Sequence, residues 1–220
     1  ATAVLAAGRP ALVWRRLIAD TETPVSAALK LIEPGRGDYL LESVEGGATR
    51  GRYSVIGLAP DLVFRAHGRT AEINRLWLTD RSAFAPAAAD TLTALRQLVA
   101  SCRMDVPEAL PPALACLVGY LGYESIGLVE AIERPAADPL GLPDMLFVRP
   151  TLILLFDRLA DALYLVAPVW PEGGGAPAGR IAQAVERIEA AAARLAGSVP
   201  AARRAEIALA VPEPRSMLAP

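Results

Sequence analysis

Few side chains in this sequence could carry out chemistry. His67 is the single histidine, and so the one side chain whose ordinary pKa lies near neutrality. It sits beside Gly68 and reads as a solvated turn residue rather than a general base. Cys102 falls in a helix-forming segment and Cys116 in the apolar run Leu114-Ala115-Cys116-Leu117-Val118. Two cysteines in such settings suit reduced packing thiols better than a disulfide framework or a zinc site. No Gly-x-x-x-x-Gly-Lys run is present to cradle phosphate, no His-Glu-x-x-His to hold zinc, and no Gly-x-Ser-x-Gly elbow to present a nucleophile. The chain therefore offers no catalytic residue and no metal ligand set. The carboxylates of Glu42, Glu45 and Asp61 are close in sequence, yet strand alternation sets Glu42 and Ser43 on opposite faces unless a bulge or strand end intervenes. Arg36-Gly37-Asp38 spells a cell-adhesion tripeptide, but glycine and aspartate between a helix and a strand are also ordinary turn residues.

The elements that must position these residues follow from periodicity. Thr23 can cap a helix, Pro24 suits its first position, and Val25, Leu29 and Ile32 share a face, so a helix is expected over 24–32, ended by Pro34-Gly35. Extended stretches follow over 39–45, 52–58 and 62–66, separated by Gly46-Gly47 and Pro60, and together they read as an antiparallel meander. His67-Gly68 turns the chain into a weaker strand over 70–78. Residues 87–102 form an amphipathic helix with Leu92, Leu95, Leu98 and Val99 on one side. A buried strand over 114–121, a short helix over 124–132 and a hairpin of 151–156 with 162–166 come next. A closing helix over 180–195 turns Ile181, Val185, Ile188, Ala192 and Leu195 inward and leaves Arg187, Glu189 and Arg194 outside. Residues 1–22 read as an N-terminal extension, 23–197 as one domain with about seven strands, and 198–220 as a proline-bearing linker.

A chain of 220 residues, 53% hydrophobic and 21% charged, can bury a core and fold. Its 22 basic and 24 acidic residues give a net charge of −2, which creates no field to attract nucleic acid or an anionic membrane. The longest apolar run, 113–123, falls short of the roughly 20 residues that span a bilayer. The sequence opens Ala1-Thr2-Ala3-Val4 without a methionine or a basic leader, so either the methionine is removed or upstream sequence is cut. Reduced thiols and the lack of a leader make the cytoplasm the expected compartment.

Read in order, Thr23-Pro24-Val25-Ser26, Leu40-Leu41-Glu42-Ser43-Val44-Glu45-Gly46-Gly47, Gly51-Arg52-Tyr53-Ser54-Val55-Ile56-Gly57, Gly119-Tyr120-Leu121-Gly122-Tyr123, Leu142-Pro143-Asp144-Met145 and Phe156-Asp157-Arg158 resemble the amino-terminal region of anthranilate synthase component I. Single pieces of this set would carry little weight, but the ordered set is specific and spans roughly residues 20–170. The resemblance implies an α+β fold of antiparallel sheets packed against each other with helices outside. It implies a parent enzyme that makes anthranilate and pyruvate from chorismate and ammonia, with magnesium and chorismate bound in a carboxy-terminal region and a glutamine amidotransferase subunit as partner. For this chain it implies feedback binding of L-tryptophan and no catalysis of its own.

At residue level the resemblance assigns Ser43 as a tryptophan contact with Leu41 and Glu42 beside it. Tyr53 and Ser54 are further candidates because a turn after Gly46-Gly47 brings their strand alongside the motif, the alternative being a core aromatic and an ordinary strand residue. A free amino acid needs an acceptor for its ammonium, a donor for its carboxylate and an apolar slot for its indole, which a glutamate, a hydroxyl and strand-end backbone can help to supply. Each well-desolvated hydrogen bond to a charged end is worth about 1.5–3 kcal/mol. The family's pocket is completed by a Pro-Tyr-Met segment that this sequence lacks. Gly119, Gly122 and Tyr123 read as close backbone packing. Two other readings compete: component I of 4-amino-4-deoxychorismate synthase, and a free-standing amino-acid-binding module.

Overall fold

The computed structural model describes residues 1–42, 51–132, 140–172 and 174–200. In chain order the elements are α1 (Thr2–Ala6), β1 (Ala11–Ile18), α2 (Pro24–Leu31), β2 (Tyr39–Glu42), β3 (Tyr53–His67), β4 (Thr70–Asn74), β5 (Phe84–Pro86), α3 (Thr91–Ser101), β6 (Val118–Leu121), a 3-10 turn (Tyr123–Leu128), β7 (Met145–Asp157), β8 (Ala162–Val169) and α4 (Pro177–Leu195). All pairings are antiparallel, and the class is α+β with helices outside. The eight strands join into one continuous sheet. Its two wings share the long strands β3 and β7, whose first and second halves have different outer neighbours. One wing runs β1-β8-β7-β3-β2 and the other β6-β7-β3-β4-β5.

The join lies at Ala59–Leu62. Proline separates two extended stretches in the sequence, and the meander reading ends one strand there and begins another. Instead β3 runs through, because Pro60 faces Pro150 across the sheet, where neither ring has an N–H to offer, and a register shift follows between Pro60 and Leu62. Ala59 takes the left-handed conformation (φ 48°). Both its backbone groups are held by side chains: its N–H donates to Asp38 Oδ1 at 2.7 Å, and its carbonyl accepts Thr151 Oγ1 at 2.8 Å. Asp38 also accepts from the Glu33 N–H (3.0 Å) and from Arg36 Nε and Nη2, the closest contact being 2.6 Å. Arg36-Gly37-Asp38 is thus the clamp on the bend, with the Asp38 side chain 0% exposed.

Helices α1, α2 and α4 cover one face of the first wing, where Leu31, Ile56, Leu154, Leu165, Ala184 and Ile188 form the main core. The irregular segment around Leu110–Cys116 covers the opposite face over Ile153, Leu155, Tyr164 and Val166. Helix α3 packs on the second wing against Leu62, Phe64, Ala66 and Met145. The helix over 24–32 forms as read, with a reciprocal cap: Ser26 N donates to Thr23 Oγ1 and Thr23 N to Ser26 Oγ. Its buried face, however, is Pro24, Ala27 and Leu31, while Val25 and Leu29 are exposed. Lys30, the sole lysine, bonds both Glu22 and the Leu195 carbonyl at 2.7 Å and so ties α2 to α4.

Further differences from the sequence reading have local causes. Residues 1–22, read as an extension, contain α1 and the edge strand β1, which pairs along all of β8. Only 118–121 of the expected strand over 114–121 is extended, since the residues before it cap a sheet face without pairing. The 124–132 helix is reduced to the 3-10 turn. Gly119 does sit at a close approach, a Cβ there falling 1.9 Å from the Leu146 carbonyl oxygen. Tyr123, by contrast, is 89% exposed and packs on nothing comparable. His67 is exposed, in the turn closed by Thr70 Oγ1 donating to its carbonyl. Among the described residues no helix is long and apolar enough to cross a membrane.

Candidate functional site

β2 and β3 end together. Their register pairs Leu41 with Val55 and Glu42 with Ser54, and β7 brings Asp157 beside Tyr53 and Phe156 beside Ser54. Pleating divides the assigned residues between the two faces. Glu42 and Ser54 lie on the face of Ile56 and Phe156, under the helices. Leu41 and Tyr53 lie on the other face, Tyr53 packing with Val55 against the Leu110–Cys116 segment. Only beyond the strand ends can one ligand touch both sets. Ser43 and residues 44–50 lie outside the described residues.

Ser54 is 1% exposed, and its Oγ has no hydrogen-bond partner among the described residues. An orphaned buried hydroxyl is costly, which makes it a candidate for a ligand's polar group. Glu42 is partly exposed and its Oε1 lies 3.5 Å from Arg158 Nη2, a loose ion pair. Leu41 is 50% exposed. Arg52 forks onto Asp157 at 2.9 and 2.8 Å, and its guanidinium stands 4.8 Å from the Tyr53 ring centroid. That fork holds the Asp157 carboxyl below the ordinary carboxylate range. The rim thus carries two ion pairs, Glu42–Arg158 and Arg52–Asp157. Neither arginine carries a signal of its own in the sequence, although both lie inside the motifs Gly51–Gly57 and Phe156–Arg158.

A cleft of about 250 Å³ continues from this rim between the start of α2 and the β7–β8 turn, lined by Asp20, Glu22, Thr23, Phe156, Arg158 and Asp161 among others. It can offer carboxylates to an ammonium and a guanidinium to a carboxylate. Typical small-molecule sites enclose roughly 300–1,000 Å³, so this open cleft needs further walls to bury an amino acid with a large side chain. Cys102 and Cys116 lie away from it, and burial raises both thiols, Cys116 to about 12. Among the described residues no three His, Cys, Asp or Glu side chains are grouped to hold a metal ion.

No family model matches the chain. It is similar to anthranilate synthase component 1 of Cereibacter sphaeroides, at 44% identity over 197 residues, covering 90% of this chain and 39% of that protein. It is also similar to the protein of the same description from Thermus thermophilus, at 37% identity over 154 residues, covering 70% of this chain and 31% of that one. Among solved structures it resembles anthranilate synthase component I from Streptococcus pneumoniae TIGR4, with a TM-score of 0.48 and 19% identity, over 80% of this chain and 37% of that chain. The chain spans no more than about two fifths of the length of these relatives.

Proposed function

The chain belongs to the anthranilate synthase component 1 family, and from that premise we propose that it is the amino-terminal, L-tryptophan-sensing and scaffold portion of such an enzyme. The observation that carries the reading is the register that sets Glu42 beside Ser54 at a shared strand end, with the Ser54 hydroxyl buried and unpartnered. Tryptophan sits beyond that end, its ammonium toward the acidic groups and its carboxylate toward a donor such as Arg158. Ser43, Leu41 and Tyr53 complete the contacts, and a segment from the remainder of the enzyme closes the cleft.

In this reading the whole enzyme converts chorismate and ammonia into anthranilate and pyruvate, the ammonia coming from a glutamine amidotransferase subunit. Chorismate and magnesium bind in the remainder of the enzyme. This chain alone is inert. Tryptophan favours a relation between the two portions in which chorismate binds poorly, a coupling of about 1–3 kcal/mol. The test is Ser43→Phe in the full-length enzyme, followed by anthranilate fluorescence, which also separates this product from 4-amino-4-deoxychorismate. Turnover should persist while inhibition by tryptophan disappears; unchanged inhibition would remove Ser43 from the site.

A further inference from the structure

We propose that a second cleft, between the β3 bend, the end of β8 and the first turns of α4, binds a small doubly charged oxyanion. This inference is independent of the tryptophan reading. The cleft measures about 410 Å³, and its charged lining is Arg75, Arg149, Arg180 and Arg187 against Asp61 and Glu172, leaving two positive charges. Arg149 is 6% exposed and forks onto Asp61 at 2.8 and 3.0 Å. Its Nη1 has no hydrogen bond, the Glu172 carboxylate being 3.9 Å away. The guanidinium stacks on Trp170, 4.5 Å from the ring centroid, and Trp170 is 5% exposed with its own Nε1 unpartnered. Arg180 Nη1 donates to the carbonyls of Trp170 and Pro171, but its Nε has no partner. Arg187 Nε has none either, and its guanidinium makes no ion pair with any described residue.

Three guanidiniums and an indole whose residues line one cleft therefore carry four buried nitrogen donors without acceptors. A purely structural cluster pairs its donors, because a buried donor left unpaired costs stability. Here the excess is entirely of donors and of positive charge. Guanidinium forks match the planar oxygens of carboxylates and the oxygens of phosphate, so the complementary ligand is a small dicarboxylate or a phosphate. Periodicity alone places Arg187 on the outer side of its helix. It is instead half-buried and turned to this cleft, and burial lowers its pKa.

Calorimetric titration of the full-length enzyme with malonate and, separately, with inorganic phosphate tests the proposal. The expected result is saturable binding in at least one arm, weakened tenfold or more in Arg187→Gln and in Arg180→Gln. Malonate alone would identify a carboxylate site, phosphate alone a phosphate site, and both a general oxyanion site. No saturable heat in either arm, or affinities unchanged in both variants, would overturn it. Two variants are specified so that failure of one to fold leaves the test intact; Arg149 is left alone because it is itself buried and its loss unpairs the half-buried Asp61.

Discussion

Replacing Asp38 by alanine removes the clamp on the sheet bend. The carboxylate is inaccessible to solvent and accepts the Ala59 and Glu33 N–H groups as well as the Arg36 guanidinium. Breaking a buried pair by removing one partner costs about 3–5 kcal/mol. Arg36 is 20% exposed and keeps a second partner, Glu33 at 2.8 Å, so its charge is not abandoned; the lower end, about 3 kcal/mol, is the better figure. The left-handed Ala59 then loses the bond that fixes its N–H, which adds to the cost without changing the sign. For a chain of this size about 3 kcal/mol lowers Tm by roughly 6–12 °C. Asp38→Asn keeps one acceptor oxygen and should lose about half as much. Thermal unfolding followed by circular dichroism reads both values. A shift under about 2 °C for Asp38→Ala would refute the clamp and reopen Arg36-Gly37-Asp38 to a role at the surface.

Ser54→Ala should leave Tm unchanged or raise it, because the orphaned hydroxyl is lost, yet should weaken inhibition of the full-length enzyme by tryptophan; a marked fall in Tm would mean the hydroxyl is already satisfied. Asp157 is held below its ordinary range mainly by the Arg52 hydrogen bonds, so its contribution is complete above the unfolded carboxylate pKa of about 4 and is lost as pH falls through the lower folded value. Asp157→Asn should therefore flatten the decline of Tm on acidification below about pH 4, and an unaltered acid limb would count against the pairing. Burial raises both thiols, Cys116 to about 12, so Cys102 and Cys116 should react slowly with iodoacetamide at pH 8 until the chain is unfolded; fast alkylation of both in the native state would contradict their burial.

Elements with a strong local signal were legible in the sequence. Thr23 and Pro24 mark the start of α2, the apolar repeat from Ile181 to Leu195 traces α4, and the turn at 158–161 gives the β7–β8 hairpin. What escaped depended on partners distant in the chain. Pro60 is an ordinary strand breaker until Pro150 is found opposite it. β1 carries Arg15 and Arg16 in mid-strand, tolerable because Arg15 reaches Glu189 at 2.7 Å and Arg16 lies over the Tyr164 ring. Val25 and Leu29 satisfy helical periodicity yet face outward, since the sheet takes the face of Ala27 and Leu31. At the candidate site the motif located the strand ends. Strand alternation sets neighbouring residues on opposite faces; the pairing of Glu42 with Ser54 needs the register, and the ion pairs of Arg52 and Arg158 need the folded chain.

Hydrogen–deuterium exchange of the full-length enzyme with and without L-tryptophan tests most directly whether this portion is the sensor. Tryptophan should slow exchange of the backbone amides in the peptides holding Leu40–Glu42 and Tyr53–Val55. Protection confined to peptides outside this chain, with these two strand ends unchanged at saturating tryptophan, would contradict it.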